Sequence, residues 1–357
     1  MTLSAIQALP YCLPLKVPFK TSKGPIHERK GWIIQLHTDG GLVGQGECAP
    51  LPGWSVDLWA DYASLLPGFL DQLDLAALSG DTAHLSRALD EITPGRPALR
   101  FALESALFDL AAQSDDVPLA RWLNPQAPLT VPVNAVLPLG GVQETVDLAH
   151  DWVRQGFKTL KLKVGGPESH TVVAAIREAL GGEIKIRLDA NGQWDRATAI
   201  REINAYEPYD IEYIEQPTPA HDLPALAEVR RRVGIPVAAD ESFTDPASAK
   251  ILIEAGAIDV LVMKPMINGG LLACQEAARM ARDAGVQVVV TTTLDSVVGR
   301  LGAAHLAAGV ASPELAQGLA TGPWLTRDLA PDPALINGGK LMLPDRPGLG
   351  IDPVPQP

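Results

Sequence analysis

The chain of 357 residues has only three cysteines, Cys12, Cys48 and Cys274, far apart and with no CxxC pair. An odd, dispersed set gives neither a disulfide framework nor a cysteine zinc site, and it fits a reducing cytosol. Positive charge is scarce as well: 29 Lys and Arg stand against 42 Asp and Glu, a formal net charge of −13. That balance argues against nucleic acid or an anionic membrane as a partner. No apolar run reaches the length of about 18 residues that a membrane span needs. The opening MTLSAIQALPYCLPLKVPFK lacks a basic stretch followed by a long apolar core, so no signal peptide is expected. Sequence repeats and low-complexity segments are also missing. What remains is a globular composition, 46% hydrophobic and 20% charged, long enough for one large domain and a smaller one.

The first part, to about residue 45, reads as antiparallel strands. GWIIQLHTDGGLVGQGECAP holds two β-rich runs around a turn at Thr38-Asp39-Gly40-Gly41. Residues 56 to 123 read as helical, most clearly in RPALRFALESALFDLAAQ, where Leu99, Ala102, Leu103, Ala106, Leu107 and Leu110 recur at helical spacing. From about residue 130 short β-branched runs alternate with helical stretches. Eight strands are predicted, at 132–139, 159–164, 183–190, 211–217, 236–242, 259–265, 286–293 and 314–319. Helices such as VQETVDLAHDWVRQG, HTVVAAIREALG and LLACQEAARMARDAG lie between them. Strand–helix units repeating at this rhythm predict a (β/α) barrel in preference to an open doubly wound sheet. The Pro- and Gly-rich PGLGIDPVPQP at the end reads as an extended tail over the surface.

Lys161 and Lys163 stand two apart in the apolar run TLKLKV, so they share one strand face. In a barrel that face is the interior, near the C-terminal strand end where active sites form. From Lys163 the steps to Asp189, Glu215, Asp240 and Lys264 are 26, 26, 25 and 24 residues. Near-equal steps place these groups at one level of the ring, three carboxylates between lysines. Carboxylates crowded in a partly dry mouth repel one another and are costly to desolvate. A hard divalent cation resolves this, and three oxygen donors suit Mg²⁺, with Mn²⁺ as a substitute. No Cys or His is offered at a strand end. Lys163, nearest the strand end, is assigned as the base, with Lys161 tuning it and Lys264 facing it across the ring. A metal, carboxylate ligands and a lysine base suit removal of the proton α to a substrate carboxylate.

The motifs Lys161-Leu162-Lys163, DAN at 189–191, EQP at 215–217, DES at 240–242 and KP at 264–265, in order and at barrel spacing, resemble the enolase superfamily. Within it they resemble the muconate-lactonizing-enzyme-like subgroup. The resemblance implies a (β/α)7β barrel over 126–325 behind an N-terminal α+β capping domain over 1–125. Residues 326–357 would then pack back toward the capping domain. It implies an essential Mg²⁺ on Asp189, Glu215 and Asp240, with substrate contacts from Asn191, Thr292, Thr293 and Trp54.

GECAPLPGWS, RFALESALFDL, PVNAVL, TTTLDSVVG and GLATGPWLTRDL further resemble the o-succinylbenzoate synthases, although Thr and Asp in the seventh-strand segment depart from the more familiar Ser and Glu. That resemblance implies dehydration of 2-succinyl-6-hydroxy-2,4-cyclohexadiene-1-carboxylate (SHCHC) in menaquinone synthesis. Racemases of N-succinylamino acids, dipeptide epimerases and muconate cycloisomerases share the scaffold. Dipeptide epimerases commonly carry Asp-x-Asp near the eighth strand to hold the substrate ammonium, where this chain reads GLATG. The expected partner is a small carboxylate, and a homo-oligomer is left open.

Plainer readings compete with several of these signals. DAN alone would be a turn, and DES alone a helix cap. GLVGQGE reads better as a hairpin strand than as a phosphate loop, because no helix follows it. KVGGPES reads as a βα turn. Glu241 is a neighbour of the ligand set and is left out of it. A barrel that merely binds a dicarboxylate is the non-enzyme alternative, weakened by the presence of all five ring residues.

Overall fold

The computed structural model describes residues 2–21, 24–71, 82–138 and 140–355. The predicted helical stretch over 72–81, Leu139 of the first predicted barrel strand and the last two residues lie outside them. Strands β1 (Leu3–Thr21) and β2 (Gly24–Thr38) form a long antiparallel hairpin, and β3 (Val43–Cys48) adds to β2. The second turn falls on the predicted TDGG: the Gly41 N–H donates to Thr38 O at 3.0 Å, and Gly41 takes φ +83°. Helices α1 (Trp59–Asp71), α2 (Thr82–Ile92), α3 (Pro97–Ser114) and α4 (Leu119–Leu123) follow. Helix α3 is the predicted RPALRFALESALFDLAAQ and is buried on nearly every side. It lies directly on β3. A Cβ on Gly44 would stand 2.1 Å from the Ala106 carbonyl oxygen, and one on Gly46 1.9 Å from that of Ala102. Gly44 and Gly46 of GLVGQGE thus serve helix–sheet contact, within the hairpin strand expected of that stretch.

Strand β4 (Thr130–Pro132) precedes the barrel. Then come β5 (Ala135–Leu137), α5 (Val142–Arg154), β6 (Thr159–Lys163), α6 (Ser169–Leu180), β7 (Lys185–Asp189) and α7 (Arg196–Tyr206). They are followed by β8 (Ile211–Glu215), α8 (Leu223–Arg232), β9 (Val237–Ala239), α9 (Pro246–Glu254), β10 (Val260–Met263), α10 (Gly270–Asp283), β11 (Gln287–Val290) and α11 (Val297–Val310). Strands β5 to β11 form one parallel sheet in chain order, the α/β architecture expected. Tyr213, Ala238, Val260, Val262, Val289 and Leu315 form an apolar cluster separate from the large core. This is the barrel interior, while the alternate residues, Leu160, Leu162, Ile186 and Leu188 among them, face the helices.

Two strands depart from expectation. The predicted strand 132–139 is divided. Thr130–Pro132 pairs with β13 of the C-terminal hairpin, β12 (Leu335–Asn337) and β13 (Lys340–Met342), and only Ala135–Leu137 joins the barrel. The predicted eighth strand, 314–319, forms no ladder. It spans the gap between β11 and the start of β5 by single bridges, Thr291 to Gly318 and Val133 to Gln317. The Gln317 side chain takes the place of a rung, its Oε1 accepting from the Val290 N–H at 2.6 Å.

The tail differs as well. Leu349 and Val354 are buried, and the Val354 N–H donates to Gln45 Oε1 at 2.6 Å, because two buried glutamines of the first sheet supply the partners its backbone needs. Among the described residues no helix is long and apolar enough to cross a membrane.

Candidate active site

Parallel pairing sets the ring. Lys163 is in register with Asp189, and Asp189 with Glu215. The end of β9 carries Asp240, and the end of β10 carries Lys264. Strand alternation then turns Lys161, Lys163, Asp189, Glu215, Asp240 and Lys264 into one pocket. Asp189, Glu215 and Asp240 are buried.

The carboxylates are divided between two lysines. Lys161 Nζ lies 2.7 Å from Glu215 Oε1 and 3.0 Å from Asp189 Oδ2. Lys264 Nζ donates to both oxygens of Asp240. Consequently no three acidic side chains close into a ready metal cluster among the described residues. The donor set still fits a hard cation: every donor is a carboxylate oxygen, and burial, partly offset by Lys161, pushes the Glu215 carboxyl up to about 8. Such a group needs more positive charge than two lysines give it.

The two flanking lysines differ. Burial lowers the Lys163 ammonium from its ordinary value, aided by the charge of Lys161 and resisted by Asp189. Lys163 makes no ion pair among those of the described residues, and its Nζ stands 5.7 Å from the centre of the Phe19 ring. For Lys264 burial acts downward too, but Asp240 and Glu241 outweigh it and hold the ammonium above its ordinary value. Of the two, Lys163 is therefore the more easily deprotonated, and Lys264 the one that its neighbours keep charged.

The remaining expected residues all line the pocket. The Trp54 ring lies 5.3 Å from Lys264 Nζ. Asn191, at φ +45°, donates from Nδ2 to Glu241 Oε1 at 3.2 Å. Thr292 Oγ1 is 2.8 Å from Thr321 Oγ1, and Thr293 Oγ1 donates to Asp295. Glu241 is thus a neighbour of the ring, and burial followed by the Asp240 charge pushes its carboxyl up to about 7.

Sequence reading missed the residues that hold these groups. Gln216, fully buried at φ +39°, accepts at Oε1 from the Asp240 and Ser242 N–H groups, both at 3.1 Å. Asn268 Oδ1 accepts from the Lys264 N–H at 2.5 Å while its Nδ2 donates to Phe243 O at 2.7 Å. Both sit within or just after quoted motifs, EQP and KP, which was the available signal. Phe19 and Trp324 pack edge to face at 5.1 Å over one side of the mouth, and nothing in the sequence paired them.

Residues 144–356 match the family model described as enolase C-terminal domain-like, and residues 6–123 match that of the mandelate racemase / muconate lactonizing enzyme N-terminal domain. The chain belongs to the enolase superfamily. It falls in the muconate-lactonizing-enzyme-like subgroup, as the strand-end motifs implied.

The D-Ala-D/L-Ala epimerase of Cytophaga hutchinsonii is 31% identical over 315 residues, 86% of this chain and 84% of that protein. The o-succinylbenzoate synthase of Thermobifida fusca is 40% identical over 217 residues, 59% of this chain and 66% of that protein. The dipeptide epimerase of Enterococcus faecalis V583, solved with Mg and the dipeptide L-Leu-L-Tyr, superposes with a TM-score of 0.88 at 29% identity, covering 98% of this chain and 99% of that one. Within the superfamily, this chain is therefore similar both to epimerases and to a synthase. The enzyme assignment stands on the family; the particular reaction does not.

Proposed function

We propose that this protein is a Mg²⁺-dependent o-succinylbenzoate synthase, with Lys163 as the base and Lys264 as the charge partner. The observation that carries the reading is the wall made by Gly318, Ala320 and Thr321 together with Thr291, Thr292 and Thr293. It offers hydroxyls and carbonyls and no carboxylate. A dipeptide substrate brings a free ammonium, which in a mostly apolar pocket needs an anionic partner. An acid without an ammonium does not. The similarity to the Thermobifida fusca synthase supports the same choice.

The residues Asp189, Glu215 and Asp240 would hold the metal, which supplies charge against a developing enediolate. In this reading Lys163 Nζ takes the proton α to the substrate carboxylate. The resulting ammonium gives that proton to the departing hydroxyl on the same face, the C–O bond breaks, and water leaves. Lys264 remains protonated and faces the negative charge from the other side. Loss of SHCHC absorbance, followed with purified protein and Mg²⁺ beside EDTA-treated protein, tests this. Turnover that needs the metal supports it. No turnover in folded, metal-loaded protein overturns it.

A racemase of N-succinylamino acids is the second reading. One lysine on each side of the ring suits proton transfer to either face, and such substrates also lack a free ammonium. Exchange of their α proton in D₂O separates the two.

A further inference from the structure

We propose that Glu47, on the capping sheet, is a positioning residue that holds the Thr291–Leu294 wall of the active-site pocket in its substrate-binding shape. The proposal rests on reading that pocket as the active site.

Glu47 stands one residue before the end of β3 and is wholly buried. All its donors but one come from the start of α11. Ser296 N–H donates to Oε1 at 3.0 Å, Ser296 Oγ to Oε2 at 2.5 Å, and Gly299 N–H to Oε2 at 2.8 Å. Tyr11 on β1 adds its hydroxyl to Oε1. A Cβ on Gly299 would stand 2.6 Å from Oε2, so the glycine makes room for the carboxylate.

Of the first three helical N–H groups only that of Gly299 depends on it. Ser296 already caps α11 through the Val298 N–H, and Asp328 Oδ1 takes the Val297 N–H at 2.8 Å. A buried carboxylate is costly, and one drawn from another domain calls for a use beyond that single helix N–H.

The use lies just before the helix. Thr291, Thr292, Thr293 and Leu294 line the pocket. Leu294 takes φ +62°, a left-handed conformation that side-chain-bearing residues disfavour. It is held on both sides. Asp295 Oδ1 accepts from the Thr293 N–H at 3.1 Å and from Thr293 Oγ1, which closes the turn around Leu294. Ser296, two residues on, is fixed to Glu47. One anchor is local and the other belongs to the capping domain. Phe19 and Trp54, which line the same pocket, are carried by the same hairpin and by the segment after β3. Seating of the capping domain and shaping of the Thr291–Leu294 wall therefore form one event.

The test compares the full-length wild type with Glu47→Gln, which keeps the size but loses the charge and one acceptor. Amide hydrogen exchange over 292–299 should rise about tenfold or more, with β6 to β10 unchanged. KM for SHCHC should rise about tenfold, with kcat changed less, as removal of substrate-positioning contacts predicts. Leu294→Gly, which removes the conformational penalty, should recover part of that KM in the double variant. Tyr11→Phe, which deletes a single donor, serves if Glu47→Gln does not fold, and should produce a smaller rise confined to 292–299. A folded Glu47→Gln with unchanged exchange over 292–299, or with a uniform rise across the capping sheet, overturns the proposal. The exchange readout needs no substrate. A wild type that turns over no SHCHC but shows the local exchange effect defeats the synthase reading alone.

Discussion

Lys163 is the base of the proposed reaction, and its surroundings make two predictions. It is the lysine of the ring without an ion pair among the described residues, so Lys163→Ala should leave folding and metal affinity close to wild type. It should lower turnover by about 10²–10⁴-fold, the usual contribution of a positioned base. A variant that retains wild-type α-proton exchange in D₂O would remove Lys163 from the base role. The second concerns pH. Burial and the Lys161 charge favour neutral Lys163, and only the neutral amine accepts a proton. kcat/KM should therefore climb with pH and level off with a midpoint below that of free lysine, about 10.4. A midpoint at or above that value contradicts the assignment.

Lys264 depends on support that the sequence hid. Asn268 is buried and satisfies both the Lys264 N–H and the Phe243 carbonyl. Asn268→Ala should cost about 1–3 kcal/mol of stability, read by denaturant unfolding, because it strands two buried polar groups. The ring residues themselves were legible, since charges at equal steps along successive apolar strands converge on one level of a barrel mouth. Gln216 and Asn268 were not, because a polar residue in a loop has many ordinary roles until its partners are seen.

At the scale of elements, helix α3 on β3 is a contact of backbone against backbone. A Cβ on Gly46 meets the helix at 1.9 Å from a carbonyl oxygen, not a flexible side chain. Gly46→Ala should therefore displace the helix and cost about 3 kcal/mol or more, visible as a large fall in Tm. Ala102→Gly would not relieve it, since the clash is with the carbonyl oxygen. Short β-branched runs made β6 to β11 readable, and the helical recurrence of leucine and alanine did the same for α3, although that helix is buried on nearly every side. The first and last barrel strands were read less well for a physical reason. Pro132 has no N–H to give, and its strand is drawn off to β13. Residues 314–319 satisfy their neighbours partly through the Gln317 side chain, and a side chain replacing a backbone rung leaves no trace in hydropathy.

Across the whole molecule, buried polar groups stitch the capping domain, the barrel and the C-terminal segment together. Glu104 on α3 accepts from the Leu272 N–H at the start of α10. Asp109 on the same helix accepts from both the Gln45 and the Leu349 N–H groups. His305 on α11 makes the third link. Its Nδ1 accepts from the Ala120 N–H at 3.1 Å, which leaves Nε2 to carry the proton toward the Leu349 carbonyl at 3.3 Å. A neutral ring suits both contacts. Burial pushes its pKa from an ordinary 6.5 down to about 4, slightly opposed by the Leu349 carbonyl. The unfolded chain thus binds a proton at a higher pH than the folded one. Stability from this residue is intact above about 6.5 and drains away as pH falls toward about 4, a loss of about 3 kcal/mol. His305→Gln lacks the titration. It should be less stable than wild type at pH 8, where the histidine contacts are complete, and the gap should narrow or reverse by pH 4.5. Urea midpoints of the two proteins across that range measure the difference directly. A gap that stays constant with pH would mean that His305 binds its proton equally well in the folded and unfolded chains, and that burial does not hold the ring neutral between α4, α11 and the C-terminal segment.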